Sequence, residues 1–120
     1  MVELIWEPSG VVRKLSGRVS QDELDRSAKQ LQASERLDAL RYIIHDFSAA
    51  TEVLVTQDDV EFMAVRASVA LLRNDRVKIA FVGTHPAITA LITAFNNKGI
   101  SPLRCHHFGT LVDARRFAAA

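Results

Sequence analysis

The chain contains one cysteine, Cys105, in 120 residues. A lone thiol cannot close an internal disulfide, so an apolar core must hold the fold, and the usage fits a reducing compartment. Long apolar runs are also missing. Nothing approaches the roughly 18 consecutive apolar residues that span a bilayer. The first residues, Met1-Val2-Glu3-Leu4-Ile5-Trp6-Glu7, carry acid where a secretory signal carries base, and no long apolar segment follows. The expected address is the cytoplasm, with no membrane span. Net charge is nearly absent, at +1, and the two signs are interspersed. No stripe of Lys and Arg is available to track a phosphate backbone, so nucleic acid is not an expected partner. Glycine and proline are scarce at 5 and 3, and no linker, repeat or low-complexity stretch interrupts the chain. A single domain over residues 1–120 is expected.

The composition that remains is that of an ordinary globular domain, 48% hydrophobic and 24% charged, enough to bury a core without metal staples. Alternation predicts strands over 2–6 and 11–15, joined as a hairpin through Pro8-Ser9-Gly10, with Gly17 closing the second. Ser20-Gln21-Asp22-Glu23 is a capping box, in which hydroxyl and carboxylate each satisfy an orphan backbone N–H, and Leu24, Ala28 and Leu31 follow at helical spacing. The run Tyr42-Ile43-Ile44 with His45-Asp46-Phe47 predicts a strand buried on both faces. A loop over 48–55 should then lead to a second cap, Thr56-Gln57-Asp58-Asp59, and a helix reaching about Arg73 before Asn74-Asp75. Residues 77–82 predict a further strand ended by Gly83. Thr84 is expected to cap the next helix, with Pro86 in its first turn, a stripe of Ile88, Leu91, Ile92 and Phe95, and a stop at Asn97-Lys98-Gly99. A last strand over 103–108 and a third cap, Thr110-Leu111-Val112-Asp113, complete the order. Two strands followed by helix–strand alternation predict an α/β fold: a mixed sheet of about five strands with four helices, the later strands parallel.

The segment Leu15-Ser16-Gly17-Arg18-Val19-Ser20, leading from a strand into a helix, resembles the "LxGxL" entry of STAS domains, the fold of the bacterial anti-sigma factor antagonists. Ile43-Ile44-His45-Asp46-Phe47-Ser48 resembles that family's next strand, which ends in Asp, an apolar residue and Ser. The order of elements matches over about residues 11–117, and a variant branch often called SpoIIAA-like is the nearer likeness. The resemblance implies a regulatory scaffold that works by binding, without catalysis of its own. It departs at one place. The family's switching members carry a "DSSG" motif, whose Ser is phosphorylated, where this chain has Val55-Thr56-Gln57-Asp58-Asp59. The adjacent carboxylates would repel a phosphate of about −1.5 to −2 charge, so Thr56 reads as a helix cap.

Two surfaces stand out. In the helix after Thr56, the residues Val60, Met63, Ala64, Ala67 and Leu71 suffice to pack on a sheet. Phe62, Val65, Val69 and Leu72 form a second apolar stripe opposite. A helix on the outside of a sheet needs one apolar face. The surplus points to a partner or homodimer surface, to a lid over a pocket for an apolar small ligand, or to cover by another helix of the same chain, such as the last. The second surface is the rim at the carboxyl ends of the strands, where Asp46, Ser48, Thr56 and His85 form a possible ligand or regulatory site. Ser48, His85 and Asp46 can be drawn as a hydrolase triad, but no GxSxG elbow presents the serine. Cys105 and His106 are sequence neighbours on a strand and do not face each other. Four histidines and a cysteine raise a metal site, yet no CxxC, HxH or HExxH spacing occurs and His106 and His107 should point oppositely. The expectation is a non-catalytic module with no metal and no cofactor. Arg115 and Arg116 are assigned to the negative end of the last helix, Trp6 to packing on the sheet.

Overall fold

The computed structural model describes residues 1–98 and 103–120. The hairpin forms as its turn predicts. Strand β1, Val2–Trp6, runs antiparallel to β2, Gly10–Ser20. Helix α1, Gln21–Gln32, follows at once, and a single 3₁₀ turn at Leu37–Ala39 leads into β3, Tyr42–Leu54. Then come α2, Gln57–Ala70; β4, Lys78–Val82; α3, Ala87–Asn97; β5, Cys105–Phe108; and α4, Leu111–Ala119. The five strands form one sheet in the order β1-β2-β3-β4-β5, with every pair after the first parallel. The α/β class, the mixed sheet and the four helices are therefore as the pattern indicates.

Strand order decides where the helices go. When consecutive parallel strands lie side by side, crossovers of one hand must all pass over one face of the sheet. Accordingly Leu24 and Leu31 of α1, Val60 and Met63 of α2, and Ile88, Leu91 and Phe95 of α3 share one core with Val11, Leu15, Ile43, Ile79 and Phe81 of the strands. The other face is left to α4, whose Ala114, Leu111 and Phe117 pack on Val12, Ile44, Ala80 and Val82.

The caps form where the sequence puts them. The Ser20 hydroxyl accepts from the Glu23 N–H while the Glu23 carboxylate accepts from the Ser20 N–H, and Thr56 and Asp59 repeat the arrangement. Thr110 accepts from the Asp113 N–H.

Four local expectations are corrected. Residues 48–54 are not a loop: β3 continues through them, paired with β2 from Ser16↔Ala49 to Ser20↔Leu54. Gly17 likewise does not close β2. It sits at φ +64° beside a register shift, where the left-handed backbone that glycine adopts freely bends the strand onward. Helix α2 ends at Ala70, capped by Leu71, short of Arg73. Thr84 does not cap α3. Pro86 occupies that position, and His85 Nδ1 accepts from the Ala87 N–H in place of a hydroxyl. The helix ends at Asn97, and the Gly99 part of its stop lies outside the described residues.

Arg115 is also reassigned. It donates twice to Glu7, at 3.0 and 2.8 Å, and the Tyr42 hydroxyl donates to the same carboxylate, tying α4 to the end of β1. These bonds, those from Arg115 first, hold the Glu7 carboxyl below its usual value of 4.5. An acid whose pKa falls on folding stabilises the fold when ionised, and that contribution disappears as pH drops below the usual value through the lowered one. Glu7→Gln is expected to flatten the acid limb of a stability-against-pH curve below about pH 4.5 while leaving its shape near neutrality unchanged. An identical acid limb in the two proteins would remove the tether from the account.

Candidate functional site

Helix α2 carries apolar residues on both sides. Val60, Met63, Ala64 and Leu71 are buried against the sheet. Phe62, Val65, Val69 and Leu72 turn outward, 59, 42, 48 and 54% exposed. Helix α4 cannot cover them, because it lies across the other face of the sheet. Burying each such side chain is worth about 1.5–3 kcal/mol, so together they hold a large unused driving force. Exposed Asp58 stands one turn before Phe62 on the helix, and exposed Arg73, in the turn past the helix end, lines a groove with Val69 and Leu72. Arg66 lies over the Phe62 ring at 5.6 Å and pairs with Asp25 of α1 at 3.1 Å.

Beneath α2 is a cavity of about 50 Å³. A water needs roughly 10–15 Å³ on the same measure, so the space takes a few waters or a small ion. Its walls include Leu31 of α1, Ile43 and Ile79 of the sheet, Met63 and Ala67 of α2, and Phe95 of α3. Two polar side chains of the sheet join them, Arg13 and His45, which are register partners on β2 and β3 and therefore side by side on one face. Arg13 is only 8% exposed. Its Nε donates to Ser27 Oγ at 3.0 Å, and its Nη2 donates to the Leu24 carbonyl at 2.8 Å and to Ser27 Oγ at 2.7 Å. Among the described residues no carboxylate pairs with it and Nη1 has no partner. Burial pushes its pKa down to about 10, which leaves it a cation at neutral pH. His45 stacks on Phe81 with centroids 4.6 Å apart, and its Nδ1 is buried without a hydrogen-bond partner. Burial, and then the charge of Arg13, hold its pKa well below 6.5, so the ring is neutral. A sealed polar atom without a partner costs about 1–3 kcal/mol, and a buried cation without an anion costs more.

The sequence pattern did not single out this pair, although the signal was present. Val11, Arg13 and Leu15 alternate onto one face of β2, and Ile43, His45 and Phe47 onto one face of β3. A polar residue at the core position of each of two neighbouring strands marks the spot.

The rim divides. Ser48 and His85 line one shallow groove with Phe47, Ala50, Gly83 and Gly109. Asp46 is buried behind it and accepts from the Ser48 N–H at 3.0 Å and hydroxyl at 2.6 Å. Thr56 is not part of this group. The strand that replaces the expected loop carries it away from Ser48 by roughly 3.3 Å per residue. The strand order also never reverses, so the sheet has no switch point of the kind that opens a ligand crevice. The Ser48 hydroxyl donates to Asp46, and His85 Nδ1 is occupied capping α3, so neither is arranged with the other.

Cys105 is buried and its thiol is pushed up to about 12 by burial, which leaves no thiolate at neutral pH. His106 turns to the other face and packs on Phe117 at 4.6 Å, while His107 Nε2 bonds the Gly83 carbonyl. Among the described residues no three of His, Cys, Asp and Glu are placed to hold a metal ion, and no helix is long and apolar enough to cross a membrane. A search of protein-family models finds no match for this chain, and a search of curated proteins finds none either.

Proposed function

We propose that this chain is a non-catalytic interaction module that pairs with a second copy of itself through the outer face of α2. The observation that carries the reading is the exposure of Phe62, Val65, Val69 and Leu72 together on one face. Contiguous apolar patches of this kind mark interfaces. The choice of a second copy rests on charge. Exposed Asp58 stands in the first turn of α2, and exposed Arg73 in the turn just past its last residue. A two-fold axis across an antiparallel α2 pair sets each acidic end against the other copy's basic end. The resemblance to STAS domains supports a regulatory role for such a module, and Thr56 among carboxylates, where the switching members carry their phosphorylated Ser, leaves the phospho-switch in doubt.

Charge exchange tests the geometry. Asp58→Lys is expected to weaken self-association about tenfold at low salt, because two contacts turn repulsive, and adding Arg73→Asp is expected to restore it. A double variant that associates as weakly as Asp58→Lys alone would remove the antiparallel pairing.

A second reading, α2 as a lid over a small ligand, is favoured by the cavity at Arg13 and His45.

A further inference from the structure

Arg13 is a cation in the interior at neutral pH, and the chain supplies it with a hydroxyl and a carbonyl but no anion among the described residues. Its one unused nitrogen, Nη1, belongs to a side chain that lines the cavity under α2. His45, its neighbour in register, lines the same cavity and carries the orphaned Nδ1. The second cation at this cavity, Arg66, is already matched by Asp25 at 3.1 Å. One uncompensated positive charge and one neutral ring therefore sit among Leu31, Ile43, Met63, Ala67 and Ile79.

We infer that this cavity is a binding site for a small monocarboxylic acid with an apolar tail, its carboxylate on Arg13 beside His45. The inference rests on the second reading, of α2 as a lid. A monoanion balances the charge, whereas a phosphate dianion would leave a surplus negative charge buried. Guanidinium and carboxylate form short charge-assisted bonds, and the neutral His45 ring offers an N–H without a second charge. The present volume, about 50 Å³, accommodates the head group. The tail would lie between α1 and α2, whose facing residues Ala28, Ala67 and Ala70 are small and whose polar link there is the Arg66–Asp25 pair, so α2 must lift to admit it.

The test is calorimetric titration of the whole chain with sodium hexanoate, 1-hexanol and inorganic phosphate. Hexanoate is expected to bind at one site per chain, hexanol at least about tenfold more weakly, and phosphate not at all. Arg13→Met is expected to abolish the preference for hexanoate. Equal affinity for hexanoate and hexanol would overturn the carboxylate site while sustaining the lid. Binding of neither would overturn both, and phosphate binding that Arg13→Met removes would overturn the carboxylate class. Should Arg13→Met fail to fold, the His45 ring nitrogen resonances of the unmodified protein decide. They are expected to shift saturably with hexanoate and not with hexanol, and resonances indifferent to hexanoate overturn the proposal.

Discussion

Phe81→Ala is expected to destabilise the fold by about 3–5 kcal/mol, seen as a lower midpoint in urea unfolding with an unchanged slope. Phe81 is 2% exposed on β4, in the core that the sheet shares with α1, α2 and α3. Its ring meets His45 at 4.6 Å, Phe47 at 6.0 Å and Phe95 edge-on at 5.8 Å, so one side chain links β3, β4 and α3. Removing it leaves a hole that three rings of fixed backbone cannot close, and the cavity adds to the lost transfer energy. Small domains hold only about 5–15 kcal/mol in total, so this single truncation takes a large share. Phe81→Leu keeps most of the volume and is expected to cost under about 1.5 kcal/mol. A cost of the alanine variant below about 1 kcal/mol would mean that the ring does not anchor the core as its contacts indicate.

The double substitution Phe62→Asp with Val69→Asp is expected to do the reverse, leaving stability nearly untouched and abolishing association. Both side chains are about half exposed, and surface replacements away from a packed feature change stability by about 0.5 kcal/mol or less. In an antiparallel pair each copy contributes both positions, so four carboxylates would enter a contact that was apolar. Losing two large apolar contacts per copy and burying charge in their place is expected to weaken the pair at least about 100-fold. The two readouts discriminate. If the double variant lost stability with unaltered association, the face would be covered by its own subunit.

Much of the architecture was legible because each element carried its own punctuation. Three caps, Ser20, Thr56 and Thr110, place helix starts to the residue, since a hydroxyl acceptor three positions before a backbone N–H is a local arrangement. The errors arose where partners distant in sequence decide. Residues 48–54, Ser-Ala-Ala-Thr-Glu-Val-Leu, have weak strand character, and only pairing with β2 extends them. That extension is also what separates Thr56 from Asp46, Ser48 and His85, so a rim that looked like one cluster is a groove plus a distant cap. The outer stripe of α2 was legible because helical periodicity shows when apolar residues exceed what one face can bury. The cavity was not, because the meaning of Arg13 depends on His45 lying beside it across 32 residues of sequence.

Sedimentation equilibrium of the unmodified protein over a wide concentration range bears most directly on the idea that α2 is turned outward to meet another α2. The expected mass rises with concentration from 13.3 kDa toward twice that value, and the rise is lost in the Phe62→Asp, Val69→Asp variant. A mass that stays at 13.3 kDa at every concentration would contradict it.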